Sequence, residues 1–111
     1  MTTFDEREKA YEAKLAHDEE LKFKAHVRRN KRLGLWAAEK LGKGGEAAEA
    51  YAGALVAIQL EGSGDEAVFG KIRADFHAAG IAQSDHQIRR EMQEQLAAAT
   101  QDIIAGIGRT N

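Results

Sequence analysis

The chain has 111 residues, a formal net charge of −2, no cysteine and no proline, and charged residues make up 31% of it. Such a length holds one domain with a modest core and no room for a deep enclosed active site. The missing cysteines exclude disulfides and thiolate metal sites, and the small net charge argues against general affinity for nucleic acid.

Few aromatic residues, abundant alanine and the lack of proline favour a helical protein with a thin core. Met1 to Glu8 is polar and acidic, unlike a secretory signal. Nothing further along is apolar enough over a sufficient length to enter a membrane directly.

From Thr3 to Gly42 the chain reads as one long helix, forty residues with Gly34 as the single internal glycine. Thr3 and Glu6 have the spacing of a capping box, and Gly42 is the natural stop. At 100° per residue Phe4, Tyr11 and Leu15 share a narrow seam, which then continues through the polar Asp18, Lys22, His26 and Arg29. A second apolar face opens at Phe23 and runs through Val27, Gly34, Ala37 and Leu41, roughly 80° from the first. Residues 1–20 thus carry too few large apolar groups to hold a core, whereas those after Leu21 are able to.

Charge inverts along the same helix: residues 5–20 hold seven acids and three bases, residues 22–32 six bases and no acid. Acids near the amino end suit the helix dipole, but the basic block lies mid-helix, beyond its reach. A solvated face beside acidic neighbours is the plain reading, and a site for an anion or acidic partner is the alternative. A nucleic-acid role is the poorest fit, since only Phe23 and Trp36 interleave with the bases, and such binding would collapse steeply with salt.

Gly42 to Gly45 breaks the chain. Ala47, Tyr51, Ala54, Leu55 and Ile58 then recur at helical spacing to about Glu61. The glycines flanking Lys43 are no phosphate loop, because no strand precedes them and no Gly-Lys-Ser follows. Gly62, Ser63 and Gly64 form the next turn, with Asp65 as the expected N-cap. Val68, Phe69, Ile72, Phe76 and Ala79 make a third amphipathic helix ending at Gly80. Ser84 and Gln87 repeat the capping box, and Ile88, Met92, Leu96, Ala99 and Ile103 form the stripe of a fourth helix.

Lengths decide the expected architecture. At 1.5 Å per residue the first helix would run nearly 60 Å and the others roughly 20 to 35 Å. The expectation is an all-α four-helix bundle, residues 21–111, with residues 1–20 left as a projecting or disordered arm that folds on a partner. Catalytic chemistry is not legible. The histidines form no zinc signature, and Asp75 with His77 or Asp85 with His86 stand at spacings that do not face one another on a helix. An amphipathic arm instead fits a helix-in-groove ligand.

The run from Thr3 to Leu21 (TFDEREKAYEAKLAHDEEL), Arg29 to Lys31, Leu33 to Gly42 (LGLWAAEKLG), Lys71 to Phe76 (KIRADF) and Ser84 to Arg90 (SDHQIRR) resemble the zeta subunit of alphaproteobacterial F-type ATP synthases. The resemblance spans nearly the whole chain. It implies a four-helix bundle that inhibits ATP hydrolysis, its arm becoming helical in the catalytic head, between catalytic and noncatalytic subunits near the rotating central stalk. Phe4, Tyr11 and Leu15 would bury in that cleft, with Arg7, Lys9 and Lys14 pairing to acidic groups. It further implies a protein that is monomeric when free, cytoplasmic, and held at the cytoplasmic face of the inner membrane when bound to the synthase. No cofactor is required, but ATP or ADP is implied as a regulatory ligand, with Arg28, Lys31, Trp36, His86, Arg89 and Arg90 as candidate contacts. A nucleotide-sensing bundle without inhibitory potency is the alternative function.

Overall fold

The computed structural model describes the backbone of residues 3–109 and the side chains of residues 6–106. Among the described residues there are five α-helices and no strand: α1 Thr3–His17, α2 Glu19–Lys40, α3 Gly45–Leu60, α4 Gly64–Ala78 and α5 Asp85–Arg109. The single long first helix of the sequence reading is therefore two. Asp18 adopts an extended conformation, φ −107° and ψ 108°, and its carboxylate accepts from the Leu21 amide at 3.1 Å. The arm is helical as α1 and lies against α2 and α5. No glycine or proline marks this break. A short polar side chain offering an N-cap, followed by Glu19 and Glu20 in the first turn of α2, stabilises the helix start, and the bend brings α1 onto α5.

The other boundaries follow from local chemistry. Gly42 has φ 76°, its amide donates to the Glu39 carbonyl, and the Lys43 amide donates to the Ala38 carbonyl at 2.9 Å. This pair of bonds needs a left-handed residue, which glycine supplies without a Cβ clash. Gly62 and Gly80 end α3 and α4 with the same two bonds. At the start of α5 the capping box is reciprocal: the Ser84 amide donates to Gln87 Oε1 at 2.8 Å and the Gln87 amide to Ser84 Oγ at 3.1 Å. Replacing Ser84 by alanine is expected to cost about 1 kcal/mol, measured by urea unfolding. Thr3 of the other expected box has its side chain outside the described residues. Asp65 does not cap α4. That helix begins after Ser63, whose side chain makes no capping bond, and Asp65 lies within its first turn.

Helices α2 to α5 share one core: Leu33, Ala37 and Ala38 of α2, Tyr51 and Leu55 of α3, Val68, Phe69, Ile72 and Phe76 of α4, and Ile88 and Met92 of α5. Trp36, Leu41, Ala48, Ile58 and Ile81 pack around it. The periodic stripes of the later helices face inward, with Ala54, Ile58 and Leu96 only half-buried, Ile104 rather than Ile103 buried on α5, and Ala47 and Ala79 exposed. On α2 the buried face is wider than its apolar stripe. Phe23 is 43% exposed, whereas Arg29 and Asn30 are buried.

Candidate functional site

Three stretches carry the candidate residues: α1, α2 from Arg28 to Trp36, and the start of α5 from His86 to Arg90. In α1 Arg7, Lys9 and Lys14 are exposed, while Tyr11 and Leu15 are half-buried. Phe4 lies in the helix, but its side chain is outside those described. Along the described part of α1 the half-buried positions are Glu8, Tyr11 and Leu15, one face at helical spacing. Gln101 of α5 donates to Glu12 Oε1 at 3.4 Å across the α1 and α5 contact.

The basic segment is largely neutralised from within the molecule. Lys22 pairs with Glu19 at 3.2 Å and Lys24 with Glu20 at 3.3 Å, each one turn back on α2. Arg28 and Arg32 both reach Asp102 of α5, at 2.7 and 3.2 Å, and Arg32 also donates to Gln95 at 2.9 Å. Lys31 is exposed and has no ion pair among the described residues. Acids on three helices, Glu19 and Glu20 of α2, Asp65 of α4 and Asp102 of α5, thus pair with five of the six bases of this segment.

Arg29 is the exception in kind. It is 1% exposed, its Nε donates to Asn30 Oδ1 at 2.7 Å, and Nη2 donates to Asp65 Oδ1 at 2.7 Å. Asn30 in turn donates to the Leu55 carbonyl at 2.9 Å. The hydrogen bond from Arg29 holds the Asp65 carboxyl below the usual aspartate range, against a smaller opposing effect of burial, with His26 adding attraction. A guanidinium out of water needs such partners for its planar fork of donors. Helical spacing puts Arg29 on the polar continuation of the first seam, inside a basic block expected to be solvated, whereas the structure buries it.

A concavity of about 580 Å³ lies between α4 and the start of α5. Phe69, Gly70, Phe76 and Ile81 give it an apolar lining, and Arg73 and His77 stand on its rim. Arg73 pairs with Asp85 at 2.8 Å. Arg89 pairs with Glu66 at 2.9 Å and lies 3.8 Å over the Phe69 ring, and its guanidinium lowers the Glu66 pKa. Trp36 is half-buried and meets Phe76 with ring centroids 5.6 Å apart. Asp75, considered above beside His77, instead accepts from the Tyr51 hydroxyl at 2.8 Å and from Lys71 at 3.2 Å. Burial first, and then this bond, push the Tyr51 hydroxyl pKa up.

The six candidate nucleotide contacts are spread over the molecule. Arg89 and Trp36 border the concavity through Phe69 and Phe76. His86 is exposed in the first turn of α5, and Arg90 pairs with Glu94 at 3.1 Å. Arg28 sits with Asp102, thirteen residues and about 20 Å along α5 from Arg89. Among the described residues no three His, Cys, Asp or Glu are placed to hold a metal ion, and no helix is long and apolar enough to cross a membrane.

A short helix, α1, joined through Asp18 to a core built from α2 to α5 defines a small all-helical protein among the described residues. The sequence model of the family described as ATPase inhibitor subunit zeta matches residues 1–102, from α1 through most of α5, and the chain belongs to that family. No single curated protein matches the chain. The family is one of inhibitor subunits rather than enzymes, and it implies association with the ATP synthase.

Proposed function

We propose that the chain inhibits ATP hydrolysis by an F-type ATP synthase by inserting residues 1–20 as a helix into the catalytic head, beside the central stalk. Residues 21–111 then act as the holder outside the cleft. The free protein is a monomer on the cytoplasmic side, recruited to the membrane face only by the synthase. The observation that carries this reading is α1 itself: a helix joined to the body through one non-helical residue and, among the described residues, contributing none to the main core. Its Tyr11 and Leu15 seam supplies apolar anchors and its exposed Arg7, Lys9 and Lys14 supply charge for acidic groups on the head.

The test is ATP hydrolysis by a synthase stripped of its own zeta subunit, titrated with the full chain and with a version starting at Leu21. Because the α2 to α5 cluster draws nothing from α1, the shortened chain is expected to keep its helical circular dichroism and a cooperative melt. Inhibition is expected to fall by at least about tenfold, the weight of one or two buried anchors. Equal inhibition by both versions would defeat the proposal.

Adenine-nucleotide sensing is the second reading, supported by the α4 and α5 concavity that Phe69 and Phe76 line, with Arg89 and Trp36 packed against those two rings. Under it, ATP or ADP quenches Trp36 fluorescence saturably, and Arg89→Ala weakens that response while arm deletion leaves it intact.

A further inference from the structure

The seam that the inhibitory reading sends into a partner is occupied in the free chain. Among the described side chains of α1 only Glu8, Tyr11 and Leu15 are drawn in from solvent, so the helix turns its seam toward α2 and α5. Ala25 of α2 and Ala99 and Ile104 of α5 are buried outside the main cluster. They belong to α2 and α5, the two helices that α1 meets.

The bend responsible is confined to one residue. The Lys22 amide already donates to the Asp18 carbonyl at 2.9 Å, and the Asp18 amide to the Leu15 carbonyl at 3.4 Å. Its φ of −107° is not far from the helical range, so a turn of ψ from 108° to about −40° joins α1 to α2 as one helix. Neighbours His17, Glu19 and Glu20 impose no glycine or proline obstacle to that change. In the joined helix Leu15 falls in line with Lys22, Arg29 and Leu33, and α1 would project about 22 Å along the α2 axis, its seam bare.

Each state has its own support. The joined helix gains backbone bonds through residues 18–21, including Leu21 to the His17 carbonyl. The bent form instead gives the Leu21 amide the Asp18 carboxylate at 3.1 Å, and half-buries Tyr11 and Leu15. Neither set of gains is large, which is the condition for a two-state element that a ligand is able to shift.

Resting on the inhibitory reading, we propose that Asp18 is a hinge whose carboxylate cap holds the inhibitory seam stored against the end of α5, and that straightening at this residue arms the protein. The stored and the armed forms compete for the same Tyr11 and Leu15 face. The apparent affinity for the synthase is then set by the fraction of straight molecules.

The chain has no native cysteine, so Glu12→Cys with Gln101→Cys places two unique thiols on exposed positions of α1 and α5. Spin labels there measure the distance distribution in the free full-length chain, with and without Asp18→Ala. A short bis-maleimide between the same thiols locks the bend. The expected results are a short distance in the free chain, a longer population once Asp18→Ala removes the cap, and inhibition that improves about 3- to 10-fold in that variant. The locked chain is expected to inhibit at least about tenfold more weakly than the same cysteine variant left unlinked. Unchanged distances in Asp18→Ala, or full inhibition by the locked chain, would overturn the hinge. If neither form inhibits but Asp18→Ala still lengthens the distance, the hinge stands and the inhibitory reading fails.

Discussion

Replacing Gly34 by alanine is expected to lower the midpoint of thermal unfolding by roughly 10 to 20 °C, corresponding to about 2 to 3 kcal/mol for a domain of this size. A Cβ built on Gly34 would stand 2.5 Å from Ala52 Cα, 3.0 Å from its Cβ and 3.3 Å from its amide nitrogen. The obstacle is therefore backbone, and no rotamer change relieves it. Helices α2 and α3 would have to separate at the point where both are buried, loosening Leu33, Ala37 and Leu55 together. Against this stands the gain of about 1 kcal/mol from placing alanine rather than glycine inside a helix. That gain is smaller than the cost of parting two packed helices, so the sign is set by the clash. Ala52→Gly in the same chain is expected to restore only a minor part, because it removes the Cβ and leaves the Cα in the way. Circular dichroism melts of the two single variants and the double variant separate these contributions, and a Gly34→Ala chain as stable as the parent would refute the close-crossing argument.

What was legible in the sequence was what periodicity and turn chemistry encode. Val68, Phe69, Ile72 and Phe76 announce a buried face because apolar groups at those spacings have nowhere else to go. Gly42, Gly62 and Gly80 announce helix ends because each sits where a left-handed residue closes two carbonyl bonds. Ser84 and Gln87 encode their cap within four residues. The break at Asp18 was not legible. Its local residues favour helix, and the bend gains from contact with the end of α5, more than eighty residues away in the chain. A separation of 36 residues likewise hid the burial of Arg29, whose partner Asp65 was instead read as a helix cap from its place after Gly64. A local rule assigned that carboxylate to the nearest free amides, while the tertiary fold gave it to a buried guanidinium. Of the candidate site, α1 and its seam were visible in the helical spacing of Tyr11 and Leu15. Acidic neighbours for the basic segment were expected, but not that Asp102 and Asp65 would be among them, because these come from other helices.

Removing the Asp65 carboxylate is expected to destabilise the protein by about 2 to 3 kcal/mol at neutral pH, more than the loss of an ordinary surface ion pair. The reason is Arg29 rather than Asp65. With 1% of its surface exposed, the guanidinium keeps its charge when its partner goes, and a buried charge without a counter-ion costs about 3 to 5 kcal/mol. Asp65 is 54% exposed, so water takes over part of its task and the effect falls below that range. Replacing Arg29 by methionine in the Asp65→Ala background is then expected to regain much of the loss, since the charge is gone and the methionine stem fills similar space. Full recovery is not expected, because Asn30 Oδ1 is left without its donor.

The pH dependence has a definite sign. Asp65 has its folded-state pKa lowered, so the pair's contribution is fully present above the unfolded value near 3.9 and is lost as pH falls through the lower folded value. Urea unfolding at pH 7 should separate the parent from Asp65→Asn, and the gap should narrow as pH falls through the lowered folded-state value, below which both side chains are neutral. A gap that persisted unchanged below that value would assign the destabilisation to lost packing instead of to the stranded charge.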